Sequence, residues 1–221
     1  MQSFRLAACL AVLAIAGKAP AGFITIFNTG VDGSGTPLAG GALDPHYSFI
    51  QNPAFGSSNA FVGTVIPGSW LANSGTSKWI GPGPGDDLAL AYTGGTYIYR
   101  TIFDLTGLNP LTAILNGLIA TDNNSEIFLN GVSTGITTGL EDFGAFKSFT
   151  INSGFTSGIN TLDFRVFNQN STPTGLRVEW VEATVAAADP VPLPATAVPM
   201  GIGALGLAMA GWFRRRAFIA A

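Results

Sequence analysis

Apolar residues are distributed along this chain in two ways. Near both ends they form continuous runs. Between the ends they come in short runs separated by Gly, Asn, Pro and Ser. The middle holds no long stretch with the 3.6-residue period of an amphipathic helix. It holds segments of strand length: Phe23 to Phe27, Tyr47 to Ile50, Phe61 to Ile66, Leu88 to Tyr92, Tyr97 to Phe103 and Leu111 to Thr121. Glu126 to Leu129, Phe146 to Ile151, Thr161 to Phe167 and Leu176 to Val185 continue the series. Many are rich in aromatic and β-branched residues, which pack well on a pleated surface. Asn130-Gly131, directly after Leu129, is a tight-turn signal. Gly81-Pro82-Gly83-Pro84-Gly85 has the chemistry of a loop and not of a helix. The expectation is an all-β fold, a β-sandwich or jelly roll over residues 22–189. The segments differ from one another, so no solenoid repeat is expected.

Alternation assigns the faces. In Thr161 to Phe167, Leu162, Phe164 and Val166 point one way and Asp163 and Arg165 the other. In Leu176 to Trp180, Leu176, Val178 and Trp180 point inward. The pattern fails at Val181-Glu182, which predicts a bulge or a strand end there.

The terminal runs read as addresses. Leu6 to Ala16 is an eleven-residue apolar run behind the charge of Arg5, too short to span a bilayer comfortably. Ala19-Pro20-Ala21 is an A-x-A cleavage pattern, so residues 1–21 read as a signal peptide and Gly22 as the mature N-terminus. Cys9 sits in a lipoprotein-like context, but cleavage there would leave almost no hydrophobic region upstream. At the other end, Val191-Pro192-Leu193-Pro194-Ala195 precedes an apolar span. Ala195 to Phe213 offers 19 residues, and Arg214-Arg215-Arg216 follow as a basic stop. That length suits a transmembrane helix, and the arginines favour the cytoplasmic side. The prolines hold the motif extended, as a processing enzyme would require. Gly201, Gly203, Gly206 and Gly211 make the span a small-residue helix suited to close packing in lipid.

Cys9, the only cysteine, is lost with the signal peptide, leaving no disulfide and no thiolate chemistry. Residues 22–189 hold five basic and all thirteen acidic side chains, a net charge of 5 − 13 = −8. Nucleic-acid binding needs clustered Lys and Arg, so that class of partner is not expected.

The order of motif, apolar span and basic end over residues 190–221 resembles the PEP-CTERM sorting domain of Gram-negative bacteria. The family's usual glutamate position holds Leu193, a Val-Pro-Leu-Pro-Ala variant that points to a different subtype of processing enzyme. The resemblance implies export, transient anchoring in the inner membrane and cutting near the motif by an exosortase-type enzyme. Delivery to the cell surface or extracellular matrix follows, alongside exopolysaccharide production. A plain uncleaved anchor is the alternative reading of the same segment.

A weaker resemblance covers residues 97 to 185. Ala120-Thr121-Asp122-Asn123-Asn124, Glu126 to Leu129, Asn130-Gly131 and Gly158-Ile159-Asn160-Thr161-Leu162 occur in the order of the galactose-binding-domain-like jelly roll. That fold occurs among carbohydrate-binding modules and glycosidase accessory domains. Fold alone does not carry function.

Candidate chemistry is sparse. His46 is the only histidine and has no Gly-x-Ser-x-Gly elbow to accompany it, so a structural or surface role is expected. Paired carboxylates, as in glycoside hydrolysis, are unavoidable among thirteen acids and carry little by themselves. Asp86, Asp87, Asp122 and Asn123 sit in expected loops and offer oxygen ligands for a structural calcium, the one cofactor considered. Trp70 and Trp79 flank a polar loop containing Asn73, and exposed rings there would stack on sugars. Core packing is the competing role for both rings, since large aromatics dominate β-sandwich cores.

Three functions follow in order. The first is a non-enzymatic surface or matrix protein binding exopolysaccharide. The second is a purely structural or adhesive matrix protein. The third is a glycan-active hydrolase, which needs two facing carboxylates. An exposed tryptophan beside a groove favours the first, and buried tryptophans favour the second.

Overall fold

A computed structural model describes residues 21–188, all of them strand, turn or irregular backbone. Eleven strands are present among these residues: β1 (Ala21–Phe23), β2 (Leu43–Gln51), β3 (Asn59–Val62), β4 (Ile80–Gly81), β5 (Gly95–Asp104), β6 (Leu108–Asp122), β7 (Asn124–Leu129), β8 (Val132–Thr137), β9 (Lys147–Ile151), β10 (Ile159–Asn168) and β11 (Gly175–Ala187). The expected all-β class is therefore what the described residues adopt. The segment expected to be a signal peptide, the Val191–Ala195 motif, the apolar span and Arg214–Arg216 lie outside the described residues, except that the expected cleavage pair, Ala21 and Gly22, falls in β1. Among the described residues no helix is long and apolar enough to cross a membrane.

The strands follow the order β8-β7-β10-β5-β2-β3-β4-β11-β6-β9, with β1 added to β11, and every pairing is antiparallel. The sheet curls so that its two halves share one core. Tyr97, Tyr99, Leu162, Phe164 and Val166 from one half join Leu115, Ile119, Leu176 and Val178 from the other. Alternation explains why. On β10, Leu162, Phe164 and Val166 are fully buried, as their period-2 spacing predicts.

Local chemistry sets the turns and breaks. Asn130 and Gly131 both have positive φ (51° and 79°) and form a two-residue hairpin between β7 and β8. Such turns match the twist of the flanking strands. The expected irregularity at Val181-Glu182 is a register shift between Trp180 and Glu182 against β6. Trp180 points inward but is only partly buried. Its Nε1 donates to the Phe27 carbonyl at 2.9 Å, and its ring meets Phe149 edge-on.

Three expected strands differ. Phe23 to Phe27 is strand only as far as Phe23. Leu88 to Tyr92 is irregular, folded back on itself by Asp87 Oδ1 accepting from Ala89 N–H and by Tyr92 O–H donating to the Asp87 carbonyl. Phe61 to Ile66 is strand only as far as Val62; the next residue, Gly63, lies hard against Leu88, where a Cβ would come within 2.3 Å of that side chain. β4 and β8 had no counterpart among the expected strands: one is two residues long and the other carries few apolar side chains.

Candidate functional site

The loops between β3 and β5 fold over a second, smaller cluster of Trp70, Trp79, Leu88 and Ala120. Trp70 and Trp79 pack with ring centroids 4.3 Å apart and are 6% and 0% exposed. They form no exposed platform for a sugar, because each ring is enclosed and each N–H is taken. Trp70 Nε1 donates to Asp122 Oδ2 at 2.9 Å, and Trp79 Nε1 to the Leu71 carbonyl at 2.7 Å. Asn73 is equally occupied: its Nδ2 donates to the Gly63 carbonyl and its Oδ1 accepts from Trp79 N–H.

The cluster is held by Arg177, which alternation directs away from the main core and which is nonetheless 1% exposed. Its Nε donates to Ser77 Oγ at 2.6 Å. Its Nη2 donates to Ser74 Oγ and Glu179 Oε1 at 2.8 and 3.2 Å, and Nη1 to the Leu71 and Ala72 carbonyls. The guanidinium thus replaces a missing strand edge for the loop from Leu71 to Ser77.

The oxygen ligands expected for calcium already accept hydrogen bonds from the protein. Among the described residues no three of His, Cys, Asp or Glu converge. Asp86 Oδ2 accepts from Thr64 O–H at 2.5 Å, and Asp87 Oδ1 accepts from Ala89 N–H. Asn123 Oδ1 accepts from Gln169 N–H at 2.8 Å. Asp122 accepts from both Trp70 and Asn123, and burial pushes its carboxyl up to about 6 against those hydrogen bonds.

An open site lies elsewhere, on the outer face of β2 and β5. A cleft of about 490 Å³ is lined by Phe27, His46, Ser48, Asn59, Arg100, Ile102 and Asp104, among others. Phe27 and His46 stack face to face, centroids 3.8 Å apart and planes 8° from parallel. Beside them Arg100 forms a two-point ion pair with Asp163, Nε to Oδ1 at 2.6 Å and Nη2 to Oδ2 at 2.8 Å. That pairing raises the Arg100 pKa above its ordinary value. Asp163 is buried although alternation points it outward, because the guanidinium covers it.

The acids around the cleft are already engaged. Asp44 accepts from the N–H groups of Gly30, His46 and Tyr47 at 2.7, 2.8 and 3.0 Å, while burial raises its pKa. Asp104 accepts from Thr106, whose hydrogen bonds hold the Asp104 carboxyl below the ordinary value. Farther across the same face, Arg165 lies over the Phe128 ring at 3.5 Å in a second cleft of about 340 Å³ with Glu126 and Phe167.

Sequence reasoning placed Asp163 and Arg165 on one face but did not join them to Arg100, Phe27 and His46. The signal available was Arg100, a lone charge inside the apolar run Tyr97 to Phe103.

No family model matches the chain, and no curated protein matches it. Among solved structures it is similar to a CBM35 module from Paenibacillus barcinonensis at 16% identity and TM-score 0.35, covering 65% of this chain and 94% of that one. It is also similar to a CBM35 from Cellvibrio japonicus Abf62 at 15% identity and TM-score 0.32, covering 66% and 95%. A Xyl-CBM35 in complex with a glucuronic acid containing disaccharide matches at 16% identity and TM-score 0.31, covering 68% and 98%. At these scores the likeness says nothing about a ligand.

Proposed function

We propose that this chain is an exported, non-catalytic polysaccharide-binding protein with a jelly-roll domain, delivered by a PEP-CTERM-type tail. The observation that carries the binding reading is the cleft beside β2. Its stacked Phe27–His46 pair offers a flat apolar surface next to the Arg100–Asp163 pair and the hydroxyl and amide groups of Ser48 and Asn59. Such a mixture suits a sugar, which has apolar ring faces and polar edges. The engagement of Asp44, Asp104 and Asp163 by protein donors favours binding over hydrolysis, which requires a carboxylate free to move a proton. Export, exosortase processing near Pro194 and transient inner-membrane anchoring rest on the terminal motifs.

Two measurements test this. Intact mass of the protein from its own cells, with and without the processing enzyme, should give a product from Gly22 to near Pro194 only when the enzyme is present. A mass retaining Arg214 to Arg216 would overturn the sorting reading. Affinity electrophoresis of that product through gels containing polysaccharide should show retardation that His46→Ala weakens about tenfold. The enclosed Trp70 and Trp79 support a second reading, a structural matrix protein without a ligand. It stands if no polysaccharide retards the wild type.

A further inference from the structure

We propose that the two clefts on the outer sheet face form one track and that it holds a single uncharged polysaccharide chain running across the strands, a proposal that rests on the binding reading above. Ser48 is in register with Arg100, Arg100 with Asp163, and Asp163 with Phe128. These residues form one line over β2, β5, β10 and β7. Three inter-strand steps of roughly 4.8 Å make it about 14 Å long. That length exceeds one sugar ring. The His46 cleft lies at one end and the Arg165 cleft at the other, with the Arg100–Asp163 pair between them.

Apolar surface accompanies the polar groups: Ile102 and Phe167 are 55% and 43% exposed on this face.

Charge selects the ligand class. The face carries Arg100 and Arg165 against Asp44, Asp104, Glu126 and Asp163, and residues 22–189 carry 5 − 13 = −8. A polyanion approaching such a surface is repelled. A neutral chain approaches without that cost and meets the partly exposed guanidinium of Arg100.

The test uses the mature protein in gels containing dextran, galactomannan or mixed-linkage β-glucan, and the carboxymethylated form of each. The expected result is retardation by at least one neutral polymer, at least tenfold weaker for its carboxymethylated form at low salt. Oligosaccharides of that polymer should bind more tightly with each added sugar until the track is filled. Arg165→Gln should weaken binding of the polymer about tenfold and leave binding of its shortest bound oligosaccharide unchanged. Phe167→Ala, at an exposed position where folding is secure, should act in the same direction. Binding of the charged polymers alone would overturn the neutral-ligand proposal and leave the binding reading intact. Loss with His46→Ala but not with Arg165→Gln or Phe167→Ala would reduce the track to one cleft. Retardation unaffected by all three variants would place the site elsewhere, and no retardation at all would sink both readings.

Discussion

Arg177 and Arg100 both lie on central strands beside a carboxylate, yet Arg177 is 1% exposed while Arg100 keeps 30% of its side chain in solvent. Arg177 spends its donors on Ser74, Ser77, Glu179 and two loop carbonyls, and burial lowers its pKa. Arg100 spends two donors on Asp163, which raises its pKa, and faces an open cleft with the rest. The same contrast separates the aromatic pairs. Trp70 and Trp79 close a loop cluster, whereas Phe27 and His46 line an open surface. Residue type does not decide whether a group organises the fold or remains available. The number of protein partners around it does.

The sharpest way to break the comparison is to remove each arginine in turn. Arg177→Ala should destabilise the protein by about 3–5 kcal/mol in urea unfolding, because it removes a buried guanidinium and leaves two loop carbonyls, two serines and the partly buried Glu179 without it. Arg100→Ala should cost less, about 1–3 kcal/mol, the scale of leaving the nearly buried Asp163 without its partner. Equal losses would show that the two sites are not different in kind. On the loop side, Trp70→Phe leaves a smaller ring against Trp79 and withdraws the N–H from Asp122, and should cost about 1–3 kcal/mol.

A pH titration sharpens the same point. The Asp122 pKa of about 6 lies above its ordinary 3.8, so the folded state holds a proton that the unfolded chain releases in that interval. This contribution to stability is complete below pH 3.8 and is lost as pH rises through about 6. The melting temperature of the wild type should therefore rise as pH falls from 7 toward 5, and Asp122→Asn should flatten that rise. Asp44 is shifted in the same direction by burial, so some slope will remain. The smallest stability effect belongs to His46→Ala, expected at about 0.5–1.5 kcal/mol for the lost stacking on Phe27, while binding drops. A large loss of stability instead would make His46 a structural residue.

Strand existence was legible wherever a run was long and regular. Tyr97 to Phe103, Leu111 to Thr121 and Thr161 to Phe167 all lie inside observed strands, and the Asn130-Gly131 turn sits where its φ preference requires. Leu88 to Tyr92 misled because its apolar residues serve a loop cluster: Leu88 is enclosed by that cluster and by Gly63 and Gly81. Of the site, the common face of Asp163 and Arg165 was legible from alternation. Their alignment with Arg100 and Ser48 was not, because residues some 50 to 115 positions apart meet only through strand pairing.

Sequence alone therefore determined the all-β class, the inward side of the main strands and the central hairpin turn. Each of these depends on neighbours within a few positions, through side-chain alternation and backbone preference. The tertiary structure decided which aromatics are enclosed, which arginine faces a cleft and where the clefts lie. Those depend on register and on how the sheet curls, which bring distant residues together and set how many protein partners each polar group finds.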